Sequence, residues 1–209
     1  MSLEIIKILV ALIVLMNPLG AIPLFLNLTA DNSAEERRAI AKVAAIAVAV
    51  GILIFALFGN GLLKVLNISI GSFQIGGGIL VLLIAIGMMN PKSSNTTEAT
   101  KEEHKEAKDK ENISVVPMAI PLLFGPGAIS TVIIYSSTAN GFWEMAQLCL
   151  AGIIAALVCY LAMVSATPLR SLLGKTGINI IGRVMGLILA AVSIEIIVNG
   201  IKNVFPQLM

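Results

Sequence analysis

Apolar residues in this chain run in long blocks, without the alternation of a surface strand or the one-sided stripe of a surface helix. The blocks give six segments, roughly 3–29, 39–58, 68–90, 113–138, 144–169 and 178–201. Each reaches about the 20 residues that a helix needs to cross the hydrocarbon core of a bilayer. The breaks are polar or rich in turn formers: TADNSAEERR, the Gly59-Asn60-Gly61 turn, Asn140-Gly141 and LRSLLGKTG. The longest break, PKSSNTTEATKEEHKEAKDKEN at 91–112, is charged and lacks large apolar residues, and it reads as a solvated linker. Residues 5–16 look like the core of a signal peptide, but the apolar run continues through Pro18 to Leu28 and no small-residue cleavage site follows, so the first span is expected to be retained.

Composition agrees with the pattern. Of 209 residues, 57% are hydrophobic and 12% charged, and mean hydropathy is +0.96. Soluble domains carry about twice that share of charge. The expected class is an all-α polytopic membrane protein. Of fourteen lysines and arginines, all but Lys7, Lys64 and Lys202 fall in the loops after spans 1, 3 and 5 or at the helix ends beside them. By the positive-inside rule that side is cytoplasmic, which puts both termini outside and the 91–112 linker inside a multi-pass protein of the cytoplasmic membrane. A net charge of +2 with no basic groove excludes a nucleic-acid partner. Cys149 and Cys159 lie on one span, about 15 Å apart along a helix, too far to bridge. The single histidine, His104, has no cysteine near it, so no metal is expected. No cofactor motif and no ATP-binding loop is present, so any transport must draw on a gradient or a partner. Without a nucleophile–base pair, a metal cluster or paired carboxylates in a span, an enzyme is not expected.

The linker divides the chain into residues 1–90, a charged segment 91–112, and residues 113–209. The two outer parts share short motifs. NPLGAIP at 17–23 matches FGPGAIS at 124–130, with Pro18 opposite Pro126, Gly20 opposite Gly127 and Ala21-Ile22 opposite Ala128-Ile129. Ile75-Gly76 in span 3 matches Ile181-Gly182 in span 6. Three spans per half force the halves into opposite orientations, which is the inverted-repeat architecture of many transporters.

Both motifs interrupt a span with proline and glycine. Pro18 and Pro23 lack an N–H and free the carbonyls of Val14 and Leu19, while Pro126 and Pro121 free those of Leu122 and Pro117. Gly20, Gly125 and Gly127 open backbone angles closed to other residues. Lipid cannot satisfy freed backbone groups, so such breaks must be buried in protein or line a wet cavity. Half-helix N-termini suit a carboxylate and half-helix C-termini suit an ammonium. Residues 17–22 and 125–129 are therefore expected to unwind and to face each other across a solvated pocket. In that pocket Asn17, Ser130 and Thr131 would add polar contacts to a small zwitterion. Packing kinks would give the same pattern without a ligand. Gly76, Gly77 and Gly78 allow close approach by a helix or a ligand, and Gly78 is a substrate-site candidate. Glu195 is the one carboxylate well inside an apolar run, a candidate for proton coupling, with an interfacial position as the alternative. Arg183 is a gating candidate that snorkelling alone would also explain. Asn67 and Gln74 read as residues that join helices, and Met16, Met88 and Met89 as apolar filler.

NPLGAIPLF in span 1, AIPLLFGPGAIS in span 4 and RVMGLILAAVSIEIIVNGI in span 6 resemble the MarC family of six-span bacterial and archaeal membrane proteins over nearly the whole chain. The resemblance implies an inner-membrane protein. Its likeness to the family's SnatA-type small neutral amino acid transporters implies transport of glycine, alanine and similar residues, coupled to protons or to Na+. On the motif positions it carries over Asn17, Pro18, Gly20, Pro23, Gly125, Pro126, Gly127 and Arg183. It implies an uncharged amide where this chain has Glu195, which counts against a family-wide coupling role for that residue.

Three functions follow as expectations. The first is a secondary transporter of small neutral amino acids. The second is an exporter of amino acids or another small metabolite. The third, of a different class, is a non-transporting scaffold or regulator that binds a cytoplasmic partner through the linker. The lipid bilayer is a partner in each, and assembly into a homo-oligomer stays open. Deletion of residues 95–110 should abolish the function of a scaffold, whereas a transporter should keep most of its flux, as measured by uptake into vesicles.

Overall fold

The structure is a computed structural model, and it describes residues 2–90 and 123–208. The described residues form helices throughout: α1 (Ser2–Met16), α2 (Pro18–Leu28), α3 (Ala34–Val65), α4 (Ile70–Met89), α5 (Pro126–Thr138), α6 (Phe142–Val164) and α7 (Ala166–Val204), closed by a 3-10 turn at Pro206–Leu208. Among the described residues, five stretches are long and apolar enough to cross a bilayer: Glu4–Leu28, Ala34–Val65, Ile70–Met89, Phe142–Val164 and Asn179–Val204. The linker 91–112 and the first part of the expected fourth span, 113–122, lie outside the described residues.

Helix ends follow local chemistry where the chain leaves the apolar runs. Ser33 accepts from Glu36 N–H while the Glu36 carboxylate accepts from Ser33 N–H, a reciprocal capping box that starts α3. Within the first turn of α3, Arg37 donates to the carbonyls of Thr29 and Ala30 at 2.9 and 3.1 Å and to the Thr167 hydroxyl at 3.3 Å. A cation thus meets the negative end of α2 and ties it to the start of α7.

Two expected breaks are not where the sequence put them. Gly59-Asn60-Gly61 lies inside α3, and the chain turns later, at Leu66–Ser69, with Asn67 in the left-handed region (φ 54). A glycine costs a helix about 1 kcal/mol, but Gly59 is kept for packing: a Cβ there would stand 2.5 Å from Ile133 Cγ1 of α5. Likewise most of LRSLLGKTG is helical, and the break shrinks to Gly174 (φ 65, ψ 178) within α7. Only that glycine takes angles that other residues avoid.

The principal pairings each join an element before residue 91 to one after residue 122: α4 along α7, α3 along α6, α1 on α6, α3 on α5, α2 on α7 and α4 on α5. The largest buried side chains, among them Leu12, Met16, Ile22, Phe25, Ile52, Phe124 and Leu148, fill the centre of this arrangement. The rings of Phe55 and Phe124 stand 5.8 Å apart at 58°, a tilted geometry that aromatic pairs favour. Outward faces are equally apolar: Ile46, Val50, Ile54 and Leu57 on α3, and Leu150, Ile153, Leu157 and Leu161 on α6, are all exposed. Lipid solvates these at no cost. The hydrophobic effect therefore cannot hold the helices together here, and close van der Waals packing must.

That packing is clearest between α4 and α7. Gly71, Gly78 and Ala85 recur every seven residues on α4, and Gly186, Ser193 and Gly200 do so on α7. A Cβ on Gly71 would lie 2.9 Å from Gly200 O, one on Gly78 3.1 Å from Ser193 O, and one on Gly186 3.1 Å from Ala85 O. Low numbers on one helix meet high numbers on the other, so the pair is antiparallel. Across this seam Asn203 donates to Gln74 at 2.8 Å, the joining role expected of Gln74. Gly76 and Gly182, matched in the sequence, both face open space, so Gly76 is not a packing glycine as expected.

Gly71→Ala should lower the thermal stability of the detergent-solubilised protein, by about 1–3 kcal/mol from overpacking. Gly76→Ala should leave it unchanged or raise it by up to about 1 kcal/mol through helix propensity. Equal effects would mean that the α4–α7 seam is not the packed face.

Candidate functional site

The first helix break centres on one residue. Pro18 disfavours the right-handed conformation for the residue before it, and asparagine is among the few residues that tolerate the left-handed one. Asn17 adopts it, with φ 45 and ψ 57. Its N–H closes α1 on Ile13 O at 3.0 Å, and its carbonyl opens α2 by accepting from Ala21 N–H at 3.1 Å. Its side chain caps α2, with Oδ1 accepting from Gly20 N–H at 3.1 Å. The remaining amide group donates from Nδ2 to the thioether Sδ of Met88 on α4, at 3.4 Å. Asn17 is only 6% exposed. Gly20 is required at this spot, because a Cβ would meet the Asn17 amide and stand 2.5 Å from Met88 Cε. Pro23 lies inside α2 and leaves the Leu19 carbonyl without its i+4 donor.

The second break precedes α5. Gly125 is extended (φ −85, ψ −179), takes the N-cap position without any side-chain cap, and is followed by Pro126 at the first helical position. The ladder resumes with Ile129 N–H on Gly125 O at 3.0 Å. The N–H groups of Gly127 and Ala128 open this helix without a side-chain acceptor, at the positive end of its dipole. Ser130 turns back to Pro126 O at 2.7 Å. Thr131, 8% exposed, has no hydrogen-bond partner among the described residues.

Both breaks rest on α4. Asn17 and Gly20 meet it at Met88. On the other break, Gly127 meets Val81, while a Cβ on Gly77 would stand 2.5 Å from Ser130 Oγ and 3.3 Å from Pro126 O. Val81 and Met88 are about 10 Å apart along the helix. Leu15, Val81, Ala85, Met88 and Leu189 fill the interval, and Leu15 Cδ2 lies 3.2 Å from the Cβ position of Gly127.

The geometry corrects the expectation of two long unwound segments across a wet pocket. Unwinding is confined to Asn17 and to residues 124–125, while 18–22 and 126–129 are helical. Proline at a first helical position is already set for a helix, so each motif starts a new one. The space between the breaks is apolar and packed. Gly78 touches Ile197 and Ser193 of α7 and neither break. Glu195 is exposed, its carboxylate accepting from Asn199 at 3.2 Å. Because Ser193 and Ile197 face α4, Glu195 points away from it, on the outer face of α7. Arg183 is exposed on α7, about one turn into the apolar span Asn179–Val204. Met88, read as filler, is instead a partner of the key amide, and no sequence signal marks it.

Residues 3–205 match the family described as MarC family integral membrane protein. The chain belongs to the MarC family. Among its relatives, a UPF0056 membrane protein of Buchnera aphidicola subsp. Acyrthosiphon pisum is 43% identical over 205 residues, covering 98% of this chain and 94% of the relative. YvbG of Bacillus subtilis is 38% identical over 98% of this chain and 97% of its own length. YhcE of Escherichia coli is 39% identical over 97% and 94%. No solved structure matches. In this MarC-family protein, NPLGAIPLF and AIPLLFGPGAIS contain the two helix breaks seated on α4.

Asn17→Ala should destabilise the protein by about 2 kcal/mol or more, from lost capping and left-handed strain together. Asn17→Gly should cost less than half of that, because glycine keeps the backbone angles. Thermal denaturation of the two variants in detergent checks the order, and equal losses would contradict the left-handed assignment.

Proposed function

We propose that this protein is a secondary transporter of small neutral amino acids such as glycine and alanine, driven by a proton or Na+ gradient across the cytoplasmic membrane. The zwitterion binds where Met88 and Leu15 now close the interval between the breaks. Its carboxylate is taken by the Asn17 amide and by the uncapped N–H groups that open α5. Its ammonium meets carbonyls freed by Pro18 and Pro23.

The observation that carries this reading is the pairing of the buried Asn17 amide with a thioether. Sulfur is a weak acceptor, and a carboxylate is a much stronger one. Met88 stands where this reading puts the ligand carboxylate. Methionine is flexible enough to leave. The residues of the two breaks, 17–23 and 124–131, carry no charged side chain, which fits a net-neutral cargo. Their small residues leave room only for a small one.

The packing supports two related halves. Exchanging the first half for the second turns α2 on α6 into α5 on α3, turns α2 on α7 into α5 on α4, and maps α3–α6 and α4–α7 onto themselves. The antiparallel α4–α7 seam fits halves of opposite orientation. Such a bundle carries a site at the repeat interface and works by rocking one group of helices against the other. The bias of lysine and arginine to one side supports a cytoplasmic linker and external termini.

Purified protein in liposomes should accumulate labelled glycine or alanine when a pH or Na+ gradient is imposed. Asn17→Ala should reduce the initial rate by about 10-fold or more, the worth of a hydrogen bond to a charged group. Met88→Leu keeps the volume but removes the competing acceptor, and should lower the apparent KM about fivefold, for about 1 kcal/mol taken from the closed state. Absence of flux across a panel of small amino acids would overturn the reading.

A further inference from the structure

A second feature lies far from the breaks, at the basic end of the bundle. A cavity of about 460 Å³ opens between the start of α3 and the end of α6, lined by Ala34, Glu35, Arg38, Ala39, Lys42 and Tyr160. Arg38 and Lys42 stand one turn apart on the same face of α3 and are both exposed. Neither has an ion-pair partner among the described residues. Ala34 and Glu35 belong to the first turn of α3, where the helix dipole adds positive potential.

What lies below the cavity identifies its occupant. The i+4 row that begins with Arg38 and Lys42 continues as Ile46, Val50 and Ile54, which are 53%, 48% and 50% exposed. On α6 the exposed row Leu157, Ile153 and Leu150 runs on in the same direction from Tyr160. Two cations and a phenol therefore crown two parallel apolar stripes that a bilayer must cover. A lipid whose acyl chains cover these stripes brings its headgroup to the crown, whereas a free phosphate or a soluble nucleotide has only the crown to bind.

We infer that this cavity binds one anionic phospholipid, its phosphodiester held between Arg38 and Lys42 and its acyl chains lying along α3 and α6. Basic pockets between helices at the cytoplasmic surface are the expected seats of such headgroups. Glu35 lines the same cavity, so the charge offered is that of two cations less one carboxylate. That balance suits a single phosphodiester carrying headgroup hydroxyls, which Glu35 accepts from, and phosphatidylglycerol has that chemistry. The bound lipid would brace α3 against α6 at the end where Arg37 ties α2 to α7.

Native mass spectrometry of the full chain, after exchange from nanodiscs of phosphatidylglycerol or of phosphatidylcholine, tests this. The protein should retain one phosphatidylglycerol and release phosphatidylcholine. The double variant Arg38→Gln/Lys42→Gln should weaken that retention about 10-fold or more, at the usual worth of a basic residue near an anionic surface. Lys64→Gln, which removes a charge from the opposite end of the same helix, should leave it unchanged. Both variants alter exposed side chains only, and circular dichroism at matched concentration confirms that each is folded. Equal retention of the two lipids, or equal loss in Lys64→Gln and the double variant, overturns the site. Displacement of the lipid by millimolar inorganic phosphate overturns the lipid assignment in favour of a soluble anion.

Discussion

A backbone polar group in hydrocarbon has no water to turn to, and everything distinctive in this protein follows from that constraint. A helix satisfies the requirement alone, which is why the described residues are helical almost throughout. Where proline removes a donor, the protein must supply a substitute. At Asn17 it does so with one side chain that caps the next helix with its oxygen and reaches α4 with its nitrogen. At Gly125 it supplies no side-chain cap, and the start of α5 keeps its positive end open. The first break is thus capped by its own side chain and the second is not.

The same solvent removes the usual force between helices. Outward faces are as apolar as inward ones, so association rests on how closely backbones approach. Glycine at seven-residue intervals on α4 and small residues at the same intervals on α7 let the two helices touch backbone to backbone. The breaks on α2 and α5 then lean on other faces of α4, against Met88 and Val81. One rigid helix pair thus sets where both breaks sit. Leu15 and Met88 pack in the interval between the two breaks.

Membership in the MarC family rests on a match over residues 3–205, which includes both breaks. An apolar chain of this length meets many others by composition alone. NPLGAIP and FGPGAIS are different, because each places proline and glycine where a bilayer tolerates them least. Relatives in several bacteria match along nearly the whole chain.

The sequence by itself determined the membrane class, the approximate spans and the two interruptions, because those depend on local quantities: run length, missing N–H groups and the angles proline enforces. It also marked Asn17 as the residue before a proline inside a span. It misplaced the turn at Gly59–Gly61 and the loop before Gly174, since a glycine looks the same whether it ends a helix or admits a neighbouring side chain. It read Met88 as filler and left Glu195 open between an intramembrane acid and an interfacial one. Only the tertiary structure turned Met88 toward Asn17 and Glu195 away from α4, because the direction a side chain faces is fixed by helix rotation and by partners more than seventy residues away. For the same reason the cavity at Arg38, Lys42 and Tyr160 was invisible until α3 and α6 lay side by side.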